Sequence, residues 1–163
     1  MKTTEPENTS AEIIQLPIGK KDRRRAEDKF GVSVMKHGYT MLPNLLLQAQ
    51  GRLKISHAQF NILVQLIGHW WDADNDPHPA KETIARRMGK SPRQIQRYLT
   101  ELEEAGFIRR VERFSGRKAQ TSNGYSLDGL VAKLKAIEPE FQKAAEQRKA
   151  RQKKVETGAT GTA

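Results

Sequence analysis

The strongest constraint on the fold is a short break between two amphipathic patterns, at Met88-Gly89-Lys90-Ser91. Apolar residues on both sides of the break recur every three or four positions, which is the spacing of one helix face. Glycine can end a helix in a left-handed conformation, and Ser91-Pro92-Arg93-Gln94 is a capping box with proline at the first helical position. The pattern predicts two short helices joined by a tight turn, which is a helix-turn-helix. The residues expected to pack these helices together are Ile84, Ala85, Met88, Ile95, Leu99 and Leu102.

The flanking residues complete a small domain. A second capping box, Ser56-His57-Ala58-Gln59, opens a helix that precedes the pair, and Pro43 joins an extended piece to a short helix upstream. The apolar face expected for the helix after Ser56 contains Phe60, Leu63, Val64, Ile67, Trp70 and Trp71. Residues 107–113 and 124–127 are candidate strands around a polar loop. The predicted fold is mainly α with a small β-hairpin wing, a winged helix-turn-helix.

The chain divides into four predicted parts. A length of 163 residues fits one compact domain with tails. We expect a disordered basic N-terminal tail over 1–36, the winged helix-turn-helix domain over 37–128, a C-terminal helical extension over 129–155 and a disordered tail over 156–163.

The C-terminal extension is a predicted basic helix with two possible roles. Asp128 can cap it, Leu130, Leu134 and Ile137 share one side, and Pro139 interrupts or restarts it. The extension either dimerises the protein or packs back on its own domain. Its basic end either adds phosphate contacts or is solvated.

The charge distribution favours a polyanionic partner. The chain has a net charge of +10, and residues 81–118 contain eleven basic and five acidic residues, a net charge of +6. In the predicted helix from Ser91 to Ala105, arginines lie near the N-terminus and glutamates near the C-terminus. This order opposes the helix dipole at about 0.3–1 kcal/mol per charge. It suits a helix whose N-terminal half contacts DNA.

The side chains off the apolar face of that helix are candidates for reading DNA bases, since arginine and glutamine form bidentate contacts to guanine and adenine. The base-reading candidates are Arg93, Gln94, Gln96, Arg97 and Thr100. The candidates for contacts to the DNA backbone are Lys81, Arg86, Lys90, Ser91, Arg109, Arg113, Arg117 and Lys118. Arg117 and Lys118 lie in the polar loop, which is either a DNA-contacting wing or a solvated hairpin tip.

The residues from Tyr39 to Ile108 resemble a winged helix-turn-helix family found in plasmid and phage replication proteins and in small bacterial regulators. The most specific part is Ile-Ala-x-x-Met-Gly-x-Ser from Ile84, followed by Leu-x-Glu-x-Gly-x-Ile from Leu102. The resemblance implies DNA binding, with the helix over 91–105 as the recognition helix. One departure is Ala80, which stands where such proteins often place a serine cap and which costs about 1 kcal/mol as an N-cap.

The sequence argues against an enzyme. Without cysteine there is no disulfide, thiolate metal site or cysteine nucleophile. The segment 72–76 resembles the start of a calcium loop, but Pro77 and Thr83 replace the required Gly and Glu. His57, His69 and His78 lack zinc-site spacing, and no phosphate-binding glycine loop is present. Tyr98 lacks the metal, Arg or His groups that a nucleophilic tyrosine needs. We expect no catalytic residue, no metal and no cofactor.

The predicted function is sequence-specific binding of double-stranded DNA, as a bacterial, phage or plasmid transcriptional regulator. An alternative is a replication or partition protein that uses the same module to bind an origin and recruit partners. A third hypothesis, an RNA-binding or protein-interaction adaptor, lacks the aromatic stacking platform of single-strand binders. Candidate partners are duplex DNA, a second copy of the chain, and the replication or transcription machinery. No signal segment or membrane span is evident, so we expect a cytoplasmic, nucleoid-associated protein.

Overall fold

A computed structural model of the protein describes residues 20–114 and 121–158. The chain divides into two compact units, 1–41 and 42–163. The elements in chain order are α1 Lys20–Phe30, α2 Val32–Met35, α3 Asn44–Gln48, α4 His57–Ile67, α5 Lys81–Met88, α6 Pro92–Glu104, β1 Arg109–Val111, β2 Gly124–Ser126 and α7 Asp128–Glu156.

The N-terminal unit contains α1 and α2, so the prediction of disorder over 1–36 is wrong for residues 20–35. Low hydrophobicity argues only against a packed core, whereas the lysines, arginines, alanine and glutamate of α1 are good helix formers without one. Gly31 ends α1 with a positive φ of 83°, and its N–H donates to the carbonyl of Glu27 at 2.8 Å. Residues 1–19 lie outside the described residues.

The core of the second unit is built from α3 to α7. Its fully buried side chains include Leu46, Ile62, Leu63, Leu66, Ile84, Ile95, Leu99 and Leu102. The predicted packing residues of α5 and α6 are therefore confirmed, with Met88 at the partly buried edge. In α4 the prediction found Leu63 but missed Ile62 and Leu66. Helix α4 contacts both α5 and α6. Its buried face therefore includes Ile62 and Leu66, which lie outside the single apolar stripe that the sequence predicted.

Local sequence signals set the helix ends as predicted. The Ser56 hydroxyl accepts from the Gln59 N–H at 3.3 Å, and the Gln59 side chain accepts from the Ser56 N–H at 3.0 Å. Ser91 and Gln94 form the same box at the start of α6, at 3.2 and 3.1 Å. Ala80 is the N-cap of α5 and makes no side-chain cap bond.

The turn of the helix-turn-helix depends on Gly89. Gly89 has the left-handed φ of 61°, and the Lys90 N–H donates to the carbonyl of Ala85 at 2.9 Å. Another residue would adopt this conformation at a cost of about 1–2 kcal/mol.

The two strands form an antiparallel pair with Arg110 opposite Tyr125. β1 is shorter than predicted, because Phe107 and Ile108 are drawn into the core. The Tyr125 N–H donates to the carbonyl of Pro77 at 2.9 Å, so the segment before α5 lines the other edge of β2. The loop over 115–120, with Arg117 and Lys118, lies outside the described residues.

Helix α7 begins on the turn between α6 and β1. Leu127 is the N-cap and makes no side-chain cap bond, so the prediction that Asp128 caps the helix is wrong. Asp128 is the first helical residue, and its N–H donates to the hydroxyl of Ser126 at 3.4 Å. The Leu130 N–H donates to the carbonyl of Phe107 at 2.8 Å. A Cβ at Gly129 would overlap the carbonyl oxygen of Gly106, so this contact requires glycine.

The helix then runs unbroken through Pro139, and the predicted interruption is wrong. Proline removes one backbone hydrogen bond, and the remaining bonds carry the helix past it. Leu130 and Leu134 are buried in the domain core, and Ile137 packs at its edge. Of the helices over 20–114 and 121–158, none is both long and apolar enough to cross a membrane.

Candidate nucleic-acid interface

Helix α6 has one buried and one exposed face. Ile95, Leu99 and Leu102 are in the core. Four of the predicted site residues, Arg93, Gln96, Arg97 and Thr100, follow i, i+3, i+4, i+7 spacing and so share the opposite face. Arg93 and Arg97 are exposed, whereas Gln96 and Thr100 are half-buried. The N-terminal two turns of α6 therefore present two arginines and an amide to a partner.

Arg97 is held loosely by its neighbours. Its Nε lies 3.6 Å from Oε1 of Glu101, and its guanidinium carbon lies 5.1 Å from the centre of the Tyr98 ring. The Arg97 side chain is 63% exposed, and such an ion pair stabilises a protein by about 1 kcal/mol at most. The ion pair with Glu101 is therefore weak enough to leave the Arg97 guanidinium available to another partner.

Glu101 also has a second partner, on α4. The Gln59 side-chain amide donates to Oε2 of Glu101 at 2.9 Å, which links α4 to α6.

Two base-reading candidates use their polar atoms inside the protein. The Gln94 side-chain oxygen accepts from the Ser91 N–H, and a bidentate contact to adenine needs that oxygen. The Thr100 hydroxyl donates to the carbonyl of Gln96 at 3.0 Å and accepts from the guanidinium of Arg110 at 2.8 Å. Over the described ranges the side chains of Arg93 and Gln96 have no hydrogen-bond partner, so their polar atoms are available.

Arg110 joins the sheet to α6 and was not among the predicted site residues. Its N–H donates to Oε1 of Glu103 at 3.0 Å, and its guanidinium lies 3.3 Å from Oε2 of Glu103 and 2.8 Å from the Thr100 hydroxyl. These bonds fix the hairpin against the recognition helix. Local spacing gives no signal for them, because the partners lie across a turn.

Tyr125 lies opposite Arg110 in the sheet and is buried. Burial raises the pKa of the Tyr125 phenol above its usual value, and the nearby Arg110 charge opposes this. Tyr125 is thus buried beside Arg110, the residue that links the hairpin to α6.

The predicted backbone-contacting residues lie before α6 in the chain, on α5 and the turn, and after it, on β1 and the segment that follows. Arg86, Lys90 and Arg109 are exposed, and Lys81 and Arg113 are half-buried. No ion pair involves these five side chains within the described part of the chain. Ser91 uses its hydroxyl in the capping box. Arg117 and Lys118 cannot be placed with them, since they lie outside the described residues.

The calcium-like segment 72–76 is an ordinary loop. The Asp72 carboxylate accepts from the Asp74 N–H at 3.3 Å and from the Asn75 side chain at 3.2 Å, so it serves the loop itself. In the described part of the chain no group of three or more His, Asp or Glu residues is placed to hold a metal ion.

Comparison with known proteins supports the helix-turn-helix. Residues 53–108, which span α4 to α6 and the turn to β1, match the model of a family described as helix-turn-helix domain. A comparison with curated proteins found no match. The prediction of a helix-turn-helix is therefore confirmed over residues 53–108.

Three solved structures resemble the chain weakly. The N-terminal domain of DnaD protein from Geobacillus kaustophilus HTA426 is 21% identical, with 81% of this chain and 99% of that chain covered and a TM-score of 0.48. The transcriptional regulator PA3341 is 22% identical, with coverage of 71% and 85% and a TM-score of 0.38. A MarR-family transcriptional regulator from Rhodococcus sp. RHA1 is 14% identical, with coverage of 86% and 96% and a TM-score of 0.37. All three TM-scores are below 0.5, so the assignment rests on the family match and on the geometry of the domain.

Proposed function

We propose that this protein binds double-stranded DNA with α6 in the major groove and acts as a sequence-specific transcriptional regulator. The observation that carries the proposal is the stripe of exposed Arg93 and Arg97 with half-buried Gln96 on α6, opposite a fully buried apolar face. An α-helix fits the major groove, where each base pair presents a distinct pattern of hydrogen-bonding groups. The proposal assigns the protein no catalytic step and no cofactor, and places it at the nucleoid in the cytoplasm.

Base reading falls to the residues with available polar atoms. Arg93 to Thr100 span about 10 Å of helix, which matches roughly three base pairs at about 3.4 Å each. Arg93, Gln96 and Arg97 are the proposed base readers, while Gln94 and Thr100 hold the start and the middle of α6 in position. Lys81, Arg86, Lys90, Arg109 and Arg113 are the proposed phosphate contacts, together with Arg117 and Lys118 of the wing.

The same geometry would serve a replication or partition protein that binds an origin. Regulation and origin binding differ in what the bound protein recruits. A reporter driven by the protein's own promoter, set against maintenance of an origin-dependent plasmid, separates the two roles. A two-fold binding site would in addition support a homodimer.

The binding proposal itself is tested by titrating the full chain with one sequence as duplex DNA, as single-stranded DNA and as single-stranded RNA, at a fixed near-physiological salt concentration. We expect a clear preference for the duplex, because the spacing of Arg93 and Arg97 suits groove edges rather than splayed bases. Equal or tighter binding of the RNA would contradict the proposal and favour an RNA-binding adaptor.

A further inference from the structure

The distal part of α7, Gln142–Glu156, is called here the basic arm. The proximal part of α7 buries Leu130 and Leu134, and Phe141 is the last half-buried residue. Every residue of the arm is exposed. Fifteen residues of helix extend about 22 Å. The arm is therefore a helix that continues beyond the domain core, with its side chains exposed among the described residues.

The arm concentrates positive charge. Its basic residues are Lys143, Arg148, Lys149, Arg151, Lys153 and Lys154, and its only acids are Glu146 and Glu156, a net charge of +4. Residues 81–118 carry +6, and the rest of the chain has equal numbers of basic and acidic residues. The whole net charge of +10 therefore lies in the helix-turn-helix with its wing and in the arm.

The arm does not neutralise its own charge. Glu146 accepts from Gln142 at 3.1 Å and Glu156 accepts from Gln152 at 2.8 Å, so both acids bind amides. Neither glutamate lies four residues from a lysine or arginine. Glu146 lies three residues from Lys143 and from Lys149, and Glu156 three from Lys153, yet the six basic side chains form no ion pair within the described residues. Pairs at i, i+4 are the usual stabilisation of an exposed helix. Without them, a helix of this length is marginal in water.

The pattern of the arm excludes two kinds of partner. At 100° per residue the six basic positions fall on all sides of the helix, and the only large apolar residue is Val155. A membrane-surface helix needs an apolar face, and a coiled coil needs an apolar seam. A partner recognised by charge alone remains, and the chain already contains a helix-turn-helix domain that suits one such polyanion.

We propose that the basic arm binds the phosphate backbone of the duplex held by α6, and that this contact stabilises the helix of the arm. The inference rests on the proposed function. A length of about 22 Å can follow roughly six base pairs at about 3.4 Å each. Phosphate contacts of this kind add affinity and salt dependence without adding base preference.

The test compares wild-type protein with a variant in which Lys143, Arg148, Lys149 and Lys153 are all changed to glutamine. Glutamine keeps a high helix propensity while removing charge. The matched control exchanges lysine and arginine at the same four positions, which preserves the charge. Affinity for a duplex that extends beyond the site is measured at several salt concentrations.

We expect the glutamine variant to bind with a shallower dependence of log K on log salt, by about 0.9 for each phosphate that the arm no longer neutralises. The control should keep the wild-type slope, and base preference should be the same in all three proteins. An unchanged slope in the glutamine variant, with wild-type binding intact, would overturn the role of the arm and leave the proposed function standing. Failure of the wild-type protein to bind any duplex would overturn both.

Hydroxyl-radical footprinting gives a second readout. Wild-type protein should protect backbone positions beside the central site, and the glutamine variant should lose only those positions. Circular dichroism should show a gain of helix when wild-type protein binds DNA and a smaller gain for the variant. Identical footprints, or a loss of affinity confined to single-stranded RNA, would overturn the proposal.

Discussion

Arg97 is the residue of α6 on which the proposed base reading most depends. In the free protein it lies against Glu101 and the Tyr98 ring, while Gln59 keeps Glu101 in place. The exposed ion pair with Glu101 is weak, so the Arg97 guanidinium is available to another partner, and its role in base reading stays a prediction.

Replacing Arg97 should separate base reading from general affinity. Arg97→Ala should weaken binding to the preferred duplex by roughly 5- to 150-fold, the equivalent of about 1–3 kcal/mol, and blur the preference at one base pair. Arg109→Ala, an exposed change on β1, should weaken all duplexes alike. Competition binding with single-base variants of the site measures both, and equal effects of the two changes on every duplex would remove the base-reading role.

Gly129 should be required for the docking of α7. Gly129→Ala places a Cβ against the carbonyl of Gly106, and the overpacking should cost about 1–3 kcal/mol in the free energy of unfolding. Gly51→Ala is the matched control, since a Cβ there meets nothing within 4 Å. Urea denaturation of both variants checks this, and equal stability would contradict the close approach of α7 to the α6–β1 turn.

Tyr125 should make the fold sensitive to alkaline pH. Burial raises the pKa of its phenol, so the unfolded chain loses this proton at a lower pH than the folded protein does. The free energy of unfolding should therefore fall as pH rises above about 10, the usual phenol pKa. Tyr125→Phe lacks the titrating group. In pH-dependent denaturation the free energy of unfolding of wild type should therefore fall relative to that of the variant over this pH range. A constant difference would mean that the phenol titrates alike in both states.

At the scale of elements, sequence signals with a local cause were reliable. The two capping boxes, Gly89 and the apolar spacing of α5 and α6 placed the helix-turn-helix correctly, because each acts within one or two turns of helix. The signals failed where tertiary contacts decide. Asp128 is the first residue of α7 and donates its N–H to Ser126, and Arg110 bonds to Glu103 and Thr100 across a turn. Residue spacing in the sequence predicts neither bond.

Two other predictions differ from the structure because a general rule does not hold at those residues. Residues 20–35 are polar enough to suggest disorder, yet their helix propensity is high. Pro139 normally ends a helix, yet α7 continues through it. The base-reading role of α6 residues remains a prediction, since exposure shows which side chains are available and not which bases they contact.

The caps of α4 and α6 offer a matched pair for testing the recognition helix. Ser91→Ala and Ser56→Ala each remove one capping box and should each lower the free energy of unfolding by about 1 kcal/mol. Only Ser91→Ala should also weaken DNA binding, because it loosens the turn that carries Arg93. Thermal denaturation and duplex titration of both proteins give the comparison, and equal losses of DNA affinity would show that the effect is one of overall stability.

At the scale of the molecule, a neutral scaffold supports two charged parts. The helix-turn-helix with its wing and the basic arm of α7 carry the whole net charge, and the core from α3 to the start of α7 connects them. This division favours a protein whose specificity comes from α6 and whose affinity comes from contacts spread along the DNA backbone.

The most direct test is selection of binding sites from random duplex DNA at fixed near-physiological salt, with wild type, Arg93→Ala and Arg97→Ala in parallel. We predict that wild type enriches a defined site and that each variant loses preference at a limited part of it. Absence of any enriched site, with an affinity that depends on salt concentration and not on DNA sequence, would contradict sequence-specific reading by α6.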